Sequence, residues 1–229
     1  MTAASPGVVA FFLGNEYYPS HDAYLEAIAN VMKDEFEAIY KAGFLLQLDC
    51  PDLAMSRHSQ FAELSTPEFR TLAAKHIEVL NEATKNIPGE AMRLHLCWGN
   101  YEGPHHLDIQ MKDLAPVVLK TRCNAISFEG ANPRHAHEWN VWKETKLPDD
   151  KVLVPGVIDS TTNFIEHPEL VAQRIVNYAN VVGKERVIAS VDCGFGTNAA
   201  STTVDARIAW AKLQALSDGA AIASKELWK

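Results

Sequence analysis

The sequence has 229 residues, 47% of them hydrophobic and 22% charged, with 12 Gly and 11 Pro, which excludes disordered, collagen-like and disulfide-scaffold proteins. Its 21 Lys+Arg against 29 Asp+Glu leave a net charge of −8, and no Lys/Arg run marks it for nucleic acid or an anionic membrane. No apolar run reaches the ~20 residues of a membrane span, so neither nucleic acid nor a membrane is expected as a partner.

In chain order, short apolar runs alternate with longer helical patterns. Strands are expected at Gly7–Leu13, Phe44–Asp49, Met92–Cys97, Cys123–Glu129, Val152–Asp159 and Val187–Cys193. Most are nearly continuous apolar runs, the pattern of parallel strands buried on both faces. Between them, Ser20 caps a helix carrying Tyr24, Ile28, Val31, Met32, Phe36 and Ile39 at helical spacing and ending at Gly43. Ser65-Thr66-Pro67-Glu68 opens a second, whose Phe69, Leu72, Ala73, His76, Ile77 and Leu80 share one face. His167-Pro168-Glu169 opens a third, with Val171, Ile175, Tyr178 and Val182 inward, and a last helix is expected from about Thr203 to Leu216, before Gly219.

Six strand–helix repeats mean an α/β protein with right-handed crossovers. No linker or composition shift divides the chain, so residues 1–229 are expected to form a single domain. The first five residues carry no secretory signal pattern, and four cysteines suit a reducing compartment, so a cytoplasmic location is expected. No Gly-x-Gly-x-x-Gly follows the first strand, which weakens an open dinucleotide-binding sheet. A closed barrel is favoured because reactive residues collect at strand C-terminal ends: Asp49 and Cys50, His95 and Cys97, Glu129, Asp159, then Asp192 and Cys193. In a parallel barrel those ends share one rim, where such folds build active sites.

His95 and Cys97 are two apart on one strand and point to one side of the sheet. With Glu129 and Cys193 they make a Cys/Cys/His/Glu set, whose thiolates and imidazole suit tetrahedral Zn²⁺ better than Mg²⁺ or Ca²⁺.

The strings His95-Leu96-Cys97-Trp98-Gly99-Asn100, Gln47-Leu48-Asp49-Cys50-Pro51, Gly156-Val157-Ile158-Asp159 and Asp192-Cys193-Gly194-Phe195-Gly196-Thr197 resemble the catalytic barrel of cobalamin-independent methionine synthase. The chain looks closer still to single-barrel relatives such as epoxyalkane:coenzyme M transferase. The resemblance implies a (β/α)8 barrel that binds zinc through His95, Cys97, Glu129 and Cys193. It implies a substrate thiol held as thiolate for S-alkylation or S-methylation, and Asp49 as a contact for the thiol substrate. A free thiol has a pKa near ~8.5, so a nearby cation makes the thiolate available without a general base.

The chain also departs from the methionine synthases. Thr161 stands where they carry a His proposed as the acid, and Cys50 where they carry Glu, which sets the chain apart from folate-dependent transfer to homocysteine. Catalytic roles are therefore expected among Asp49, His105, His106, Asp159 and Asp192. Asp49, Cys50, Trp98, Asn100, Arg134, His135 and His137 are expected substrate contacts, the loop histidines with Arg134 suiting an anionic or oxygenated substrate. Carbon–sulfur or decarboxylating lyase chemistry on the same barrel, and a zinc-binding remnant without activity, stand as alternatives.

A closed barrel needs eight strands, typically in ~250 residues, and six are visible. The resemblance makes these the third through eighth. The expectation is a barrel lacking its first two strand–helix units, open at one seam or covered there by a homodimer, because an exposed strand edge is an aggregation liability.

Overall fold

The structure is a computed structural model and describes residues 1–197 and 203–229. The chain divides into two compact units, Met1–Trp98 with Leu107–Ile126, and Gly99–His106 with Ser127–Lys229.

The first unit holds three parallel strands in chain order: β1 (Thr2–Ala4), β2 (Leu46–Asp49) and β3 (Met92–Leu96). β1 pairs Ala4 with Asp49, and β2 pairs Asp49 with His95, so the C-terminal ends align. Leu46, Leu48, Leu94 and Leu96 are fully buried, each contributing about 1.5–3 kcal/mol of hydrophobic stabilisation. Helices α1 (Pro6–Phe12), α2 (His21–Lys41), α3 (Thr66–Ala83) and α4 (Met111–Val118) complete the unit. α2 starts at its Ser20 cap, and α3 carries a capping box between Ser65 and Glu68.

The first expected strand is a correction. Gly7–Leu13 is not extended but forms most of α1, and the edge strand is Thr2–Ala4. Ser5 caps the helix by accepting from the Val8 N–H at 3.0 Å, and Pro6 occupies its first position. Those two local signals outweigh the β-forming run Val8-Val9 and Phe11-Phe12. The run is not core throughout either, for Phe12 and Leu13 are largely exposed. On α2 the inward face is Leu25, Ala29, Phe36 and Ile39, one position off the expected stripe at its start, and Val31 is exposed. α4, with Pro116 inside it, was not among the expected helices.

A buried polar chain ties this unit together. The Ser5 hydroxyl donates to Asp52 Oδ1 at 2.7 Å, Asp52 Oδ2 faces His76 Nδ1 at 2.8 Å, and His76 Nε2 faces His21 Nε2 at 3.0 Å. Buried polar groups are costly unless partnered, and this chain partners groups from α1, α2, α3 and the turn after β2.

β4 (Ala125–Phe128) falls on the boundary between the units. The second unit pairs β5 (Val152–Ile158) in parallel with the two-residue β6 (Ser190–Val191), and an isolated bridge joins Leu153 to Val187. The expected strand Val187–Cys193 is thus reduced to a bridge and a short pair, leaving Asp192 and Cys193 beyond its end. Helices α5 (Pro168–Val182), capped by His167, and α6 (Ala206–Leu227) close a core of Val157, Ile158, Val171, Ala172, Ile175, Ala215 and Ala223.

The last helix also corrects the expectation, because it runs through Gly219 rather than ending before it. Gly219 is a packing position: a Cβ there would lie 2.5 Å from Val171 and 2.8 Å from the Pro168 carbonyl oxygen. Only the missing side chain lets α6 lie this close to α5. Among the described residues no helix is long and apolar enough to cross a membrane.

Candidate functional site

In the first unit, β3 delivers His95 and, one residue past its end, Cys97; both are buried. The register sets Asp49 beside His95, with Asp49 Oδ1 4.0 Å from His95 Nε2. The Cys50 N–H donates to the His95 carbonyl at 2.7 Å and fixes the turn after β2 against β3. Partial burial pushes the Asp49 carboxyl up to about 6; His95 opposes this, and Cys97 and Asp52 add to it.

Two expected substrate contacts lie elsewhere in this unit. Trp98 is fully buried and its indole N–H donates to the Ile109 carbonyl at 2.6 Å, so it packs the core and offers no face to a substrate. Cys50 is equally buried, its thiol directed at the Leu48 carbonyl, and burial together with the Asp52 charge pushes that thiol well above its ordinary range. Neither the apolar run nor the motif distinguishes a strand-end residue that faces the core from one that faces the rim.

In the second unit, Glu129 and Cys193 are 64 residues apart in sequence, yet Cys193 Sγ stands 4.0 Å from Glu129 Oε1, both residues buried. The neighbour of each explains the approach. Asp192 accepts three backbone N–H bonds from the loop after Glu129: Gly130 at 2.8 Å and Ala131 at 2.9 Å on Oδ1, Asn132 at 2.7 Å on Oδ2. Gly156 leaves room for this carboxylate, since a Cβ there would lie 2.0 Å from Asp192 Oδ1. Burial raises the Asp192 carboxyl to about 6, with the Gly130 and Ala131 N–H groups pulling it down and Asp159 pushing it up. Both oxygens of Asp192, an expected catalytic residue, thus accept backbone N–H bonds and anchor the loop after Glu129.

A second mesh holds Cys193 from behind. The Ser160 hydroxyl accepts from the Cys193 N–H at 3.2 Å and donates to Asn100 Oδ1 at 2.8 Å. Asn100 Nδ2 in turn donates to the Gly194 carbonyl at 2.7 Å and to Thr197 Oγ1 at 2.6 Å. Asn100, an expected substrate contact, is therefore committed to the Cys193 turn. Asp159, an expected catalytic residue, accepts from Thr161 N–H, Thr161 Oγ1 and Thr162 Oγ1 at 3.1, 2.9 and 2.6 Å. Burial opposes its ionisation, but these donors and the Lys212 charge outweigh it and hold the carboxyl below the usual range. It is a fixed anion, poorly suited to donate a proton at neutral pH.

The loop histidines divide by burial. His105 is buried with φ +49, stacked on Tyr101 at 4.3 Å, its Nε2 facing the Tyr101 carbonyl at 3.0 Å. His135 is buried with Nδ1 2.8 Å from Glu138 Oε2. His106, Arg134 and His137 are exposed, and Arg134 Nη2 donates to the His106 carbonyl at 3.2 Å.

Sequence reading missed Lys212 and Glu166. Lys212 is a fully buried lysine, 2.9 Å from Glu166 Oε2. The only available signal was a lysine on the apolar stripe of the last helix, between Ala209 and Leu216, which periodicity alone treats as an interruption.

Imidazole and thiol at His95 and Cys97, with carboxylate and thiol at Glu129 and Cys193, are the donor types that hold zinc. His95, Cys97 and Cys193 are buried, and each offers one ligand atom.

Residues 16–212 match the family model described as "Cobalamin-independent synthase, Catalytic domain". The chain is 28% identical over 223 residues to the methionine synthase of Thermococcus kodakarensis, covering 97% of this chain and 56% of that protein. It is 26% identical over 178 residues to the 2-hydroxypropyl-CoM lyase of Xanthobacter autotrophicus, covering 67% of this chain and 46% of the other. The chain thus spans a little over half the length of the methionine synthase it matches. Among solved structures, a B12-independent methionine synthase from Shewanella sp. W3-18-1, in complex with selenomethionine, aligns with a TM-score of 0.75 at 20% identity. That alignment covers 99% of this chain and 62% of the other, and it shows the fold: α/β, of the (β/α)8 barrel type, with six strands among the described residues.

Proposed function

The chain belongs to the cobalamin-independent synthase catalytic-domain family, and from that premise we propose that it is a zinc-dependent transferase acting on a small thiol, with residues 1–229 working as one methionine-synthase-like barrel domain. His95, Cys97, Glu129 and Cys193 would hold the metal. Bound there, zinc supplies a positive charge that keeps a substrate sulfur as thiolate at neutral pH.

The observation that carries the reading is the buried Cys193–Glu129 approach at 4.0 Å, across 64 residues of sequence. That approach sets two zinc-donor types, a thiol and a carboxylate, side by side in a buried place. The donor set fits zinc: two soft sulfurs, one imidazole and one carboxylate match its ligand preferences and not those of Mg²⁺ or Ca²⁺. A ligand set of four protein groups requires that one position exchange for the substrate to enter.

The chain's other residues take supporting parts. Asp49, raised to about 6 and half-exposed beside His95, is the proposed contact for a polar group of the thiol substrate. The exposed Arg134, His106 and His137 suit an anionic or oxygenated co-substrate that carries the alkyl or methyl group, with His106 the proposed group to protonate its leaving atom. The buried His105 and His135 are proposed to shape that loop region. In this reading Trp98 and Cys50 have no substrate contact. The reading places the enzyme in the cytoplasm, supported by four cysteines that form no disulfide, which suits a reducing compartment. It keeps a homodimer joined at β1, which pairs with β2 on one side; sedimentation of the purified chain tests that part.

A second reading, carbon–sulfur lyase chemistry on the same site, is favoured by the similarity to a protein named 2-hydroxypropyl-CoM lyase. One experiment addresses both. Metal analysis of the purified chain is expected to give about one zinc per chain, and a panel of homocysteine, coenzyme M and glutathione is expected to perturb the spectrum of the cobalt-substituted protein. Transfer to the responding thiol from an alkyl donor supports the transferase, whereas release of that thiol from a thioether supports the lyase. A chain that folds and takes up no zinc or cobalt overturns both readings. Metal uptake with no thiol response marks a zinc-binding remnant.

A further inference from the structure

Lys212 lies on α6 with no exposed surface, at the edge of an apolar core that any aliphatic side chain would serve. A buried ammonium is costly, so what it holds is informative. Its Nζ donates to the Asp159 carbonyl at 3.0 Å and to Glu166 Oε2 at 2.9 Å, and Glu166 Oε1 accepts from the Asp159 N–H at 2.8 Å. Lys212 and Glu166 together grip both backbone polar groups of Asp159. The Asp159 carboxylate is pinned by Thr161 and Thr162, while the Asp192 N–H donates to the Ile158 carbonyl at 2.9 Å.

The next residue in the chain is Ser160, whose hydroxyl accepts from the Cys193 N–H and donates to Asn100. Holding Asp159 at both ends fixes the backbone from which the Ser160 side chain reaches Cys193 and Asn100. We infer that Lys212 is a positioning residue for Cys193, acting through the loop after β5 by way of Ser160. It touches none of the groups proposed to react, so its role is to hold and not to transfer. The metal part of this inference rests on the proposed zinc role of Cys193; the geometric part does not.

The test uses the full chain as wild type, Lys212→Met, and the neutral double variant Lys212→Met/Glu166→Met. The double variant guards against a misfolded single variant, because removing both members of a buried ion pair is far better tolerated than removing one. Two readouts are taken. In chelator-treated protein, iodoacetamide labelling of Cys193 under native conditions is measured by mass spectrometry against Cys123, a buried cysteine outside the loop. In metal-free protein, cobalt is titrated and followed by thiolate-to-metal absorption.

The double variant is expected to stay folded with a lowered melting point, yet label Cys193 several times faster with Cys123 unchanged, and to bind cobalt ~10–100-fold more weakly, the usual cost of losing an outer support of a metal ligand. Wild-type labelling and wild-type cobalt affinity in a folded double variant overturn the inference. So does labelling that rises equally at Cys123, which marks general loosening. If wild type itself gives no thiolate–cobalt band, the zinc reading fails, and the labelling of Cys193 alone then decides the role of Lys212.

Discussion

The Nε2 atoms of His21 and His76 lie 3.0 Å apart, with their rings stacked at 5.3 Å, so the first residue of α2 is held against the buried face of α3. Asp52 binds the far nitrogen of His76 at 2.8 Å, completing an acid–imidazole–imidazole chain. One proton serves the gap between the rings, and a second would set two N–H donors against each other.

This arrangement makes stability depend on pH in a defined direction. Burial, then the facing His76, lower the His21 pKa from the usual 6.5, against the opposing pull of Asp22 and Asp52. The folded state therefore takes up a proton less readily than the unfolded state. Stability is fully present above 6.5 and is lost as pH falls through the lowered folded value. In urea unfolding at about pH 7.5 and about pH 5.5, wild type is expected to lose more stability than His21→Gln. Parallel losses in the two proteins refute the assignment.

Gly219 sets the spacing of α5 and α6. Replacing a mid-helix glycine by alanine ordinarily gains up to about 1 kcal/mol, but overpacking costs about 1–3 kcal/mol. With the added carbon 2.8 Å from a backbone oxygen that cannot rotate away, the second effect is expected to win. Gly219→Ala should lower the thermal midpoint in a melting experiment. An unchanged or raised midpoint would show that the two helices can separate freely.

Asp192 is expected to matter through its three N–H bonds. Asp192→Asn replaces one acceptor oxygen with a donor, so at least one of Gly130, Ala131 and Asn132 loses its partner. The cost should be about 1.5–3 kcal/mol, the range for a hydrogen bond to a charged group. Because the same loop carries Glu129, zinc retention should fall as well. Full zinc content with the expected loss of stability would separate the anchor from the metal.

The cysteines should divide by role. Cys193→Ser is expected to abolish zinc retention at little cost to the fold. Cys123→Ser, at a position 1% exposed beside β4, should cost about 1–3 kcal/mol for a buried hydroxyl and leave zinc content unchanged. Metal analysis paired with thermal melting reads both, and the reverse pattern contradicts the proposed ligand set.

Much of the architecture was legible in local signals. Ser20, Ser65 and His167 cap the helices where their side chains indicated, because a cap needs only the next three residues to act. The strand cores at Leu46–Asp49, Met92–Leu96, Ala125–Phe128 and Val152–Ile158 fall inside the apolar runs that announced them. The first strand was misplaced because Gly7–Leu13 has strand composition but stands directly behind a Ser-Pro cap. Trp98 and Asn100 are expected substrate contacts, and Asp159 and Asp192 expected catalytic residues, because of where they stand in motifs; which hydrogen bonds each makes within the protein is set by distant segments.

By itself, the sequence determined which residue types would stand at the strand ends: His95 and Cys97 two apart, Glu129 and Cys193 each closing an apolar run. It also determined the parallel α/β class, since period, caps and run lengths are properties of neighbouring residues. Only the tertiary structure decided what each polar group would hold. Asp192 reaches back about sixty residues to the loop after Glu129, and Lys212 reaches fifty-three residues to Asp159. Those partners are set by packing between distant segments, where a glycine such as Gly156 or Gly219 makes room and a buried charge must find its counterpart, and no local pattern encodes that pairing.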